Sequence, residues 1–241
     1  MSFKKRLFLV LALIVIALVA VLLVNSSPAP DDQDGSPGTG TNSQKSFNKS
    51  KYSTSAKDSL WWVVNKKHPL PDGYAPADLT TPNIPVRTGG DESQVSKKIV
   101  PNLEALVSAA KKDGLNLMLV SGYRSYNLQV MVYDQNIRQL GQTEADKVSA
   151  KPGTSEHQTG LSLDIGAGSR TCELEECFGT TSEGKWVAAN AHTYGFIIRY
   201  PKGKQTTTGY NYEPWHLRFV GKELATELKR TNQTMEEFFG L

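Results

Sequence analysis

The sequence predicts an α+β domain over residues 58–241, carried outside a membrane by an N-terminal helix (residues 1–24) and a flexible linker (residues 25–57). Three observations predict this. The chain opens on an unbroken apolar run, and a stretch poor in large apolar groups follows it. Beyond that, helical and strand-like apolar spacings alternate too irregularly for repeated βαβ units.

The opening segment comes first. Lys4, Lys5 and Arg6 precede an apolar run from Leu7 to Val24. At a helical rise of about 1.5 Å per residue these 18 residues span roughly 27 Å, close to the hydrocarbon thickness of a bilayer. The basic cluster keeps to the cytoplasmic side and sends the rest of the chain out, so the expectation is a single-pass protein of the cell membrane with its domain extracytoplasmic. Secretion after signal cleavage is the competing reading. Against it, the run exceeds the usual signal core and Asn25-Ser26-Ser27-Pro28 offers no clear small-x-small cleavage site. Residues 25–57 are rich in Ser, Pro, Gly, Asp, Asn and Thr. They offer too little apolar surface to offset their ordering entropy and read as a tether.

Folded sequence begins where Trp61, Trp62, Val63 and Val64 arrive together. Leu103, Leu106, Val107 and Ala110 lie at helical spacing and end at Asp113-Gly114, a helix stop. Leu115 to Val120 reads as a buried strand. Tyr126 to Leu140 reads as a helix with Leu128, Met131, Val132 and Ile137 on one side and Gly141 at its end. Leu161–Ile165 and Phe196–Tyr200 are strand candidates, and Ser182–Tyr194 a helix capped by Ser182 and stopped by Gly195. Glu223–Lys229 and Met235–Phe239 suggest closing helices. The net charge of +3 is concentrated at the N-terminus. No basic block interleaved with aromatics follows, which argues against nucleic acid as a partner.

Chemistry-bearing residues gather in three places. In Ser155-Glu156-His157-Gln158-Thr159-Gly160-Leu161-Ser162-Leu163-Asp164, an imidazole and a carboxylate are both suitable zinc ligands. In Tyr212-Glu213-Pro214-Trp215-His216, a second imidazole comes with a carboxylate near enough in the chain to act as general base on a water at the metal. In Ser121-Gly122-Tyr123-Arg124-Ser125, an arginine leaves a strand end, where its planar fork can meet a carboxylate or an oxyanion, and Gln129 follows one turn into the next helix. Taken alone, the first segment is as consistent with an ordinary surface turn, the second with a core-edge histidine of the kind that is usually not a ligand, and the third reads by spacing as a structural arginine. His68, before a proline, and His192, inside a helix, read as structural. Cys172 and Cys177, separated by Glu-Leu-Glu-Glu, read as a local disulfide in an exported domain.

Taken in order, the three segments resemble the signature of zinc D-alanyl-D-alanine carboxypeptidases of the vancomycin-resistance type, within the lysostaphin, D-Ala-D-Ala carboxypeptidase and hedgehog-like group. The resemblance covers His68 to Leu241 and extends to Pro69-Leu70-Pro71, Tyr194-Gly195-Phe196 and Arg199-Tyr200-Pro201. It implies a small, mainly antiparallel sheet with flanking helices. It implies one zinc ion held by His157, Asp164 and His216, with Glu213 as base and Arg124 on the oxyanion or the substrate carboxylate. Ser155, Gln129 and Tyr200 would line the substrate pocket. The implied reaction removes the C-terminal D-alanine of peptidoglycan stem peptides, by a chain expected to be monomeric. Three alternatives stand beside it: an L,D-carboxypeptidase acting on tetrapeptide stems, a peptidoglycan endopeptidase, and a noncatalytic zinc-containing wall-binding module. Glu213 argues against the last, because a structural zinc site needs no base.

Overall fold

The computed structural model describes residues 47–87 and 89–241. The expected anchor, and the linker as far as Ser46, lie outside these residues. Among the described residues no helix is long and apolar enough to cross a membrane.

The domain is built on a four-stranded antiparallel sheet. Its strands are β3 (Leu117–Ser121), β4 (Ser162–Ala167), β5 (Phe196–Tyr200) and β6 (Glu213–Phe219), in the order β3-β4-β6-β5. A two-residue ladder of β1 (Leu79–Thr80) with β2 (Val95–Ser96) stands apart from it. Alternation sorts the sheet into two faces. Leu163 and Ile165 of β4 enter the main core with Leu117, Leu119, Leu217 and Phe219. Helix α1 (Val100–Lys112) covers them with Leu103, Leu106, Val107 and Ala110, and α4 (Ser182–Asn190) with Val187. Each such leucine taken fully out of water adds about 2 kcal/mol of hydrophobic stabilisation.

The other elements differ from expectation in instructive ways. Helix α2 runs over Tyr126–Leu140 as the spacing predicts, and Ser125 caps it by accepting from Leu128 N. Its buried face, however, is Gln129 and Tyr133, while Met131 is 60% exposed. The helix expected from Ser182 to Tyr194 stops at Asn190 and continues as a 3-10 turn, Ala191–Tyr194, ending at Gly195. Its cap is Thr181, whose hydroxyl accepts from Gly184 N at 3.0 Å, rather than Ser182. Helix α3 (Gln142–Val148), the short α5 (Gln205–Thr208) and strand β6 carried no signal that had been read.

A second core joins Trp61 and Val63 to α6 (Lys222–Thr231) and α7 (Met235–Phe239) through Leu224, Leu228, Met235 and Phe238. Residues 47–57, assigned to the linker by composition, belong to the folded domain. Phe47 packs on Trp61 and Phe238, and Tyr52 meets Trp61 edge-on at 5.1 Å. Two aromatics among polar residues suffice because Trp61 offers both a ready surface.

Candidate metal centre

Strand register builds the site. Asp164 of β4 pairs directly with His216 of β6, and Ser121 of β3 faces Asp164 from the other side. His157 comes from the 3-10 turn Glu156–Thr159, which ends at Gly160 in the left-handed region (φ 66°) before the chain enters β4. His157 Nδ1 lies 2.7 Å from the Gly122 carbonyl, so it donates there and leaves Nε2 for the site. Only glycine fits position 122: a Cβ there would stand 2.2 Å from the Gln94 carbonyl oxygen.

His157 Nε2 lies 3.4 Å from Asp164 Oδ2, and His216 Nδ1 lies 3.2 Å from Asp164 Oδ1. One donor atom from each of the three residues falls within 4.8 Å of the others. Ligands about 2.0 Å from a tetrahedral zinc ion stand roughly 3.3 Å apart, and each histidine stands about that far from one of the two Asp164 oxygens, of which the ion would take one. All three side chains are buried, and the polar group beside Asp164 Oδ1 is the His216 ring, a donor there only when protonated. A buried carboxylate left in that state calls for a cation. The second His/Cys/acid grouping, Cys172, Glu175 and Cys177, is no rival, because Cys172 and Cys177 form the expected disulfide.

Glu213 needs a backbone irregularity to reach the centre. Residues three apart on a regular strand face opposite sides, yet Glu213 Oε2 is 3.7 Å from His216 Nδ1. The β5–β6 ladder pairs Ile198 with Leu217 but Tyr200 with Glu213, so β6 spends two extra residues in a bulge around Pro214. Proline cannot donate to the ladder, and bulges of this kind re-aim side chains. A second shift, between Leu119 and Ser121, brings β3 to its end beside Asp164. Arg124 emerges there, donating to Ser121 Oγ at 3.0 Å and Gln129 Oε1 at 3.1 Å, with Nη2 3.8 Å from Asp164 Oδ2.

Burial and neighbours set the charges. Burial alone would raise Asp164, but His157 and His216 beside it hold its carboxyl well below the usual range. Burial lowers His157, against the pull of Asp164. Burial also lowers His216, yet Asp164, Glu156 and Glu213 together outweigh it and push the metal-free imidazole up to about 9. Glu213 is pushed up to about 8, chiefly by burial, with Asp164 adding and His216 opposing.

The centre opens on a cleft of about 530 Å³. Ser155 and Tyr200 line it as expected, with Tyr210 and Trp215, which had not been singled out. Gln129, expected to line the pocket, is fully buried behind Arg124. It bonds that guanidinium through Oε1 and donates to the Ala150 carbonyl at 2.7 Å, so it supports the wall instead of forming it. His68 and His192 lie outside the cleft lining.

An antiparallel sheet presenting two imidazoles and one carboxylate at an open cleft, with a further buried carboxylate beside them, has the make-up of a catalytic zinc centre. The family model described as VanY: D-alanyl-D-alanine carboxypeptidase matches residues 92–222. YodJ of Bacillus subtilis (strain 168) is 45% identical over 182 residues, covering 73% of this chain and 66% of that protein. The match thus spans just under two thirds of that relative's length. The LdcB LD-carboxypeptidase is similar in structure (TM-score 0.72, 44% identity, 76% of this chain and 86% of that one). So is a mutant of the vancomycin-resistance D,D-pentapeptidase VanY in complex with Zn(II) (TM-score 0.62, 32% identity, 73% and 97%). The chain belongs to the VanY-type D-alanyl-D-alanine carboxypeptidase family.

Proposed function

We propose that this chain removes the C-terminal D-alanine from peptidoglycan stem peptides outside the cell membrane, with His157, Asp164 and His216 holding zinc and Glu213 as general base. The observation that carries this reading is Glu213, a buried carboxylate steered by the Pro214 bulge to 3.7 Å from a ligand nitrogen at the cleft. A purely structural metal site would leave that burial cost without purpose.

Zinc, when bound, acts as a Lewis acid on the scissile carbonyl and makes water nucleophilic near neutral pH. The chain's own groups do the rest. Glu213 accepts a proton from the attacking water as the water oxygen bonds to the carbonyl carbon. It returns that proton to the amine nitrogen as the C–N bond breaks and D-alanine leaves. Its raised proton affinity belongs to the metal-free centre, and a cation bound beside Glu213 favours the ionised form that accepts the proton. Arg124, braced by Ser121 and Gln129, offers its guanidinium to the oxyanion or to the terminal carboxylate. Ser155 and Tyr200 flank the peptide.

Glu213→Gln tests the reading: it should bind zinc as the native chain does and turn over at least a hundredfold more slowly, on the scale of a lost general base. Retained full activity would overturn the mechanism.

A second reading, an L,D-carboxypeptidase acting on tetrapeptide stems, has one specific support: identity to the LdcB L,D-enzyme (44%) exceeds that to VanY (32%). Purified pentapeptide and tetrapeptide muropeptides, with products identified by mass, separate the two. Loss of one D-alanine from the pentapeptide alone supports the D,D reading. The Lys4-Lys5-Arg6 cluster and the apolar run after it support a membrane tether, tested by fractionation and by protease access to the domain in intact cells.

A further inference from the structure

Behind the ligand set stand four charged side chains with almost no exposure: Glu156, Arg199, Arg218 and Glu236. Glu156 Oε1 accepts from Arg199 Nε at 2.9 Å and from Arg218 Nη1 at 2.8 Å. Its Oε2 accepts from Ser162 Oγ at 3.0 Å. Arg199 also donates twice to Glu236, at 2.9 and 2.6 Å, and Arg218 Nη2 donates to the Leu60 and Trp62 carbonyls. The Glu156 carboxylate is therefore clamped from several elements, with its Oε1 filled by two arginines and acceptor capacity left on Oε2.

His216 provides the group that this capacity fits. Its Nε2 is buried and has no hydrogen-bond partner. Nε2 faces Glu156 Oε2 at 3.8 Å, a separation longer than a hydrogen bond that the ring would have to close when it takes up zinc. The other ring nitrogen, Nδ1, faces Asp164 and the centre.

We propose that Glu156 is a positioning residue for the metal centre: its Oε2 receives the Nε2–H of His216, fixing the tautomer and ring tilt that present Nδ1 to zinc. Outer carboxylates commonly orient metal-bound histidines in this way. Here two arginines hold the carboxylate itself in place. The inference rests on His216 being a zinc ligand. The competing account makes Glu156 only a counter-charge, since its two arginines and Glu236 already balance the group without His216.

Two measurements on the full chain separate these accounts. In the native protein with nitrogen-labelled histidine and an NMR-active cadmium isotope in place of zinc, the metal should couple to His216 Nδ1, and the Nε2 proton should exchange slowly. Coupling through His216 Nε2 would overturn the proposal. Coupling to neither nitrogen would instead overturn the ligand assignment beneath it. This spectrum needs no variant, so it decides the question even where a substitution prevents folding. Next, Glu156→Gln should weaken zinc binding in chelator competition by about 10–100-fold. Glu236→Gln, which cuts the same network on the other side of Arg199 from Glu156, should lower thermal stability and leave zinc affinity unchanged. Equal weakening by both variants, or by neither, would make Glu156 a structural counter-charge and sink the proposal.

Discussion

His216 illustrates how one residue joins stability to metal binding. In the metal-free chain burial opposes its charge, but Asp164 at 3.2 Å, aided by Glu156 and Glu213, keeps it protonated up to about 9. A folded-state pKa raised in this way stabilises the metal-free fold at low pH, and that contribution is lost as pH rises through about 9. Zinc needs the neutral ring and must displace the proton. Apparent zinc affinity should therefore climb about tenfold per pH unit from near neutrality and flatten above about pH 9, where the ring is already neutral. Chelator competition across that range measures the slope; a flat profile would mean that the free ring carries no proton. Arg124 makes a second prediction. Arg124→Lys keeps a charge but loses the fork that Ser121 and Gln129 brace. It should lower kcat/KM by about 10²–10³ while zinc content stays the same. Steady-state kinetics beside metal analysis would check both halves. At this scale the chemistry was readable in the sequence, because His, Asp, Glu and Arg declare their donors and acceptors. Glu156, Arg199 and Arg218 had not been read as a network, because nothing local distinguishes a buried charge from a solvated one.

Elements were legible in proportion to their regularity. The helix Tyr126–Leu140 and the strand Phe196–Tyr200 have the predicted bounds, because Gly141 and Gly195 with Pro201 punctuate the chain there, although the apolar spacing misread which face of the helix is buried. Strand β6 was missed because Pro214 and the bulge interrupt its alternation, and that same interruption delivers Glu213 to the site. Sequence regularity and functional geometry are here in direct conflict, as they often are at active sites. Two predictions belong to elements. Gly122→Ala would drive a Cβ to 2.2 Å from the Gln94 carbonyl, backbone against backbone with no flexible side chain to yield. We expect a loss of about 3 kcal/mol, or roughly 10 °C in thermal unfolding. The second concerns the segment closed by Cys172 and Cys177, whose Leu174, Glu175 and Glu176 line the cleft. Cys172 and Leu174 hold left-handed backbone (φ 55° and 56°) that non-glycine residues adopt at a cost, and a short covalent loop keeps them there. Replacing both cysteines with serine should raise KM several-fold and leave zinc stoichiometry untouched. A fall in kcat at constant KM would show that the loop acts on the chemistry and not on the peptide.

Across the whole domain, the arginine–glutamate cluster ties both ends of the folded chain to the metal centre. Arg218 holds the carbonyls of Leu60 and Trp62, and Arg199 holds Glu236 of α7, which also accepts from Asn65 Nδ2 at 3.1 Å. Composition had placed the fold's start near residue 58 and offered no hint of this convergence, since contacts of such long sequence separation leave no periodic trace. The cluster has a consequence for acid stability. Burial would raise Glu236, but Arg199 outweighs it and holds the carboxyl below its ordinary value of 4.5; Glu156 is displaced in the same direction by Arg199 and Arg218. Depressed carboxyl pKa values stabilise the fold above the ordinary carboxylate range and withdraw that stability as pH falls below it. Glu236→Gln leaves Arg199 with one anionic partner where it had two. Breaking a buried pair from one side costs about 3–5 kcal/mol. Near neutral pH the variant should unfold at lower urea by that amount. Its deficit should then shrink as the pH is lowered below the carboxylate range, because native Glu236 becomes protonated and loses the same interaction. Urea midpoints of both chains at several pH values, measured metal-free so that ligand titration is common to both, test this. A deficit that stays constant down to low pH would mean that the loss does not come from the ionised carboxylate, and no deficit at any pH would mean that α7 is held by Phe238 and Met235 alone.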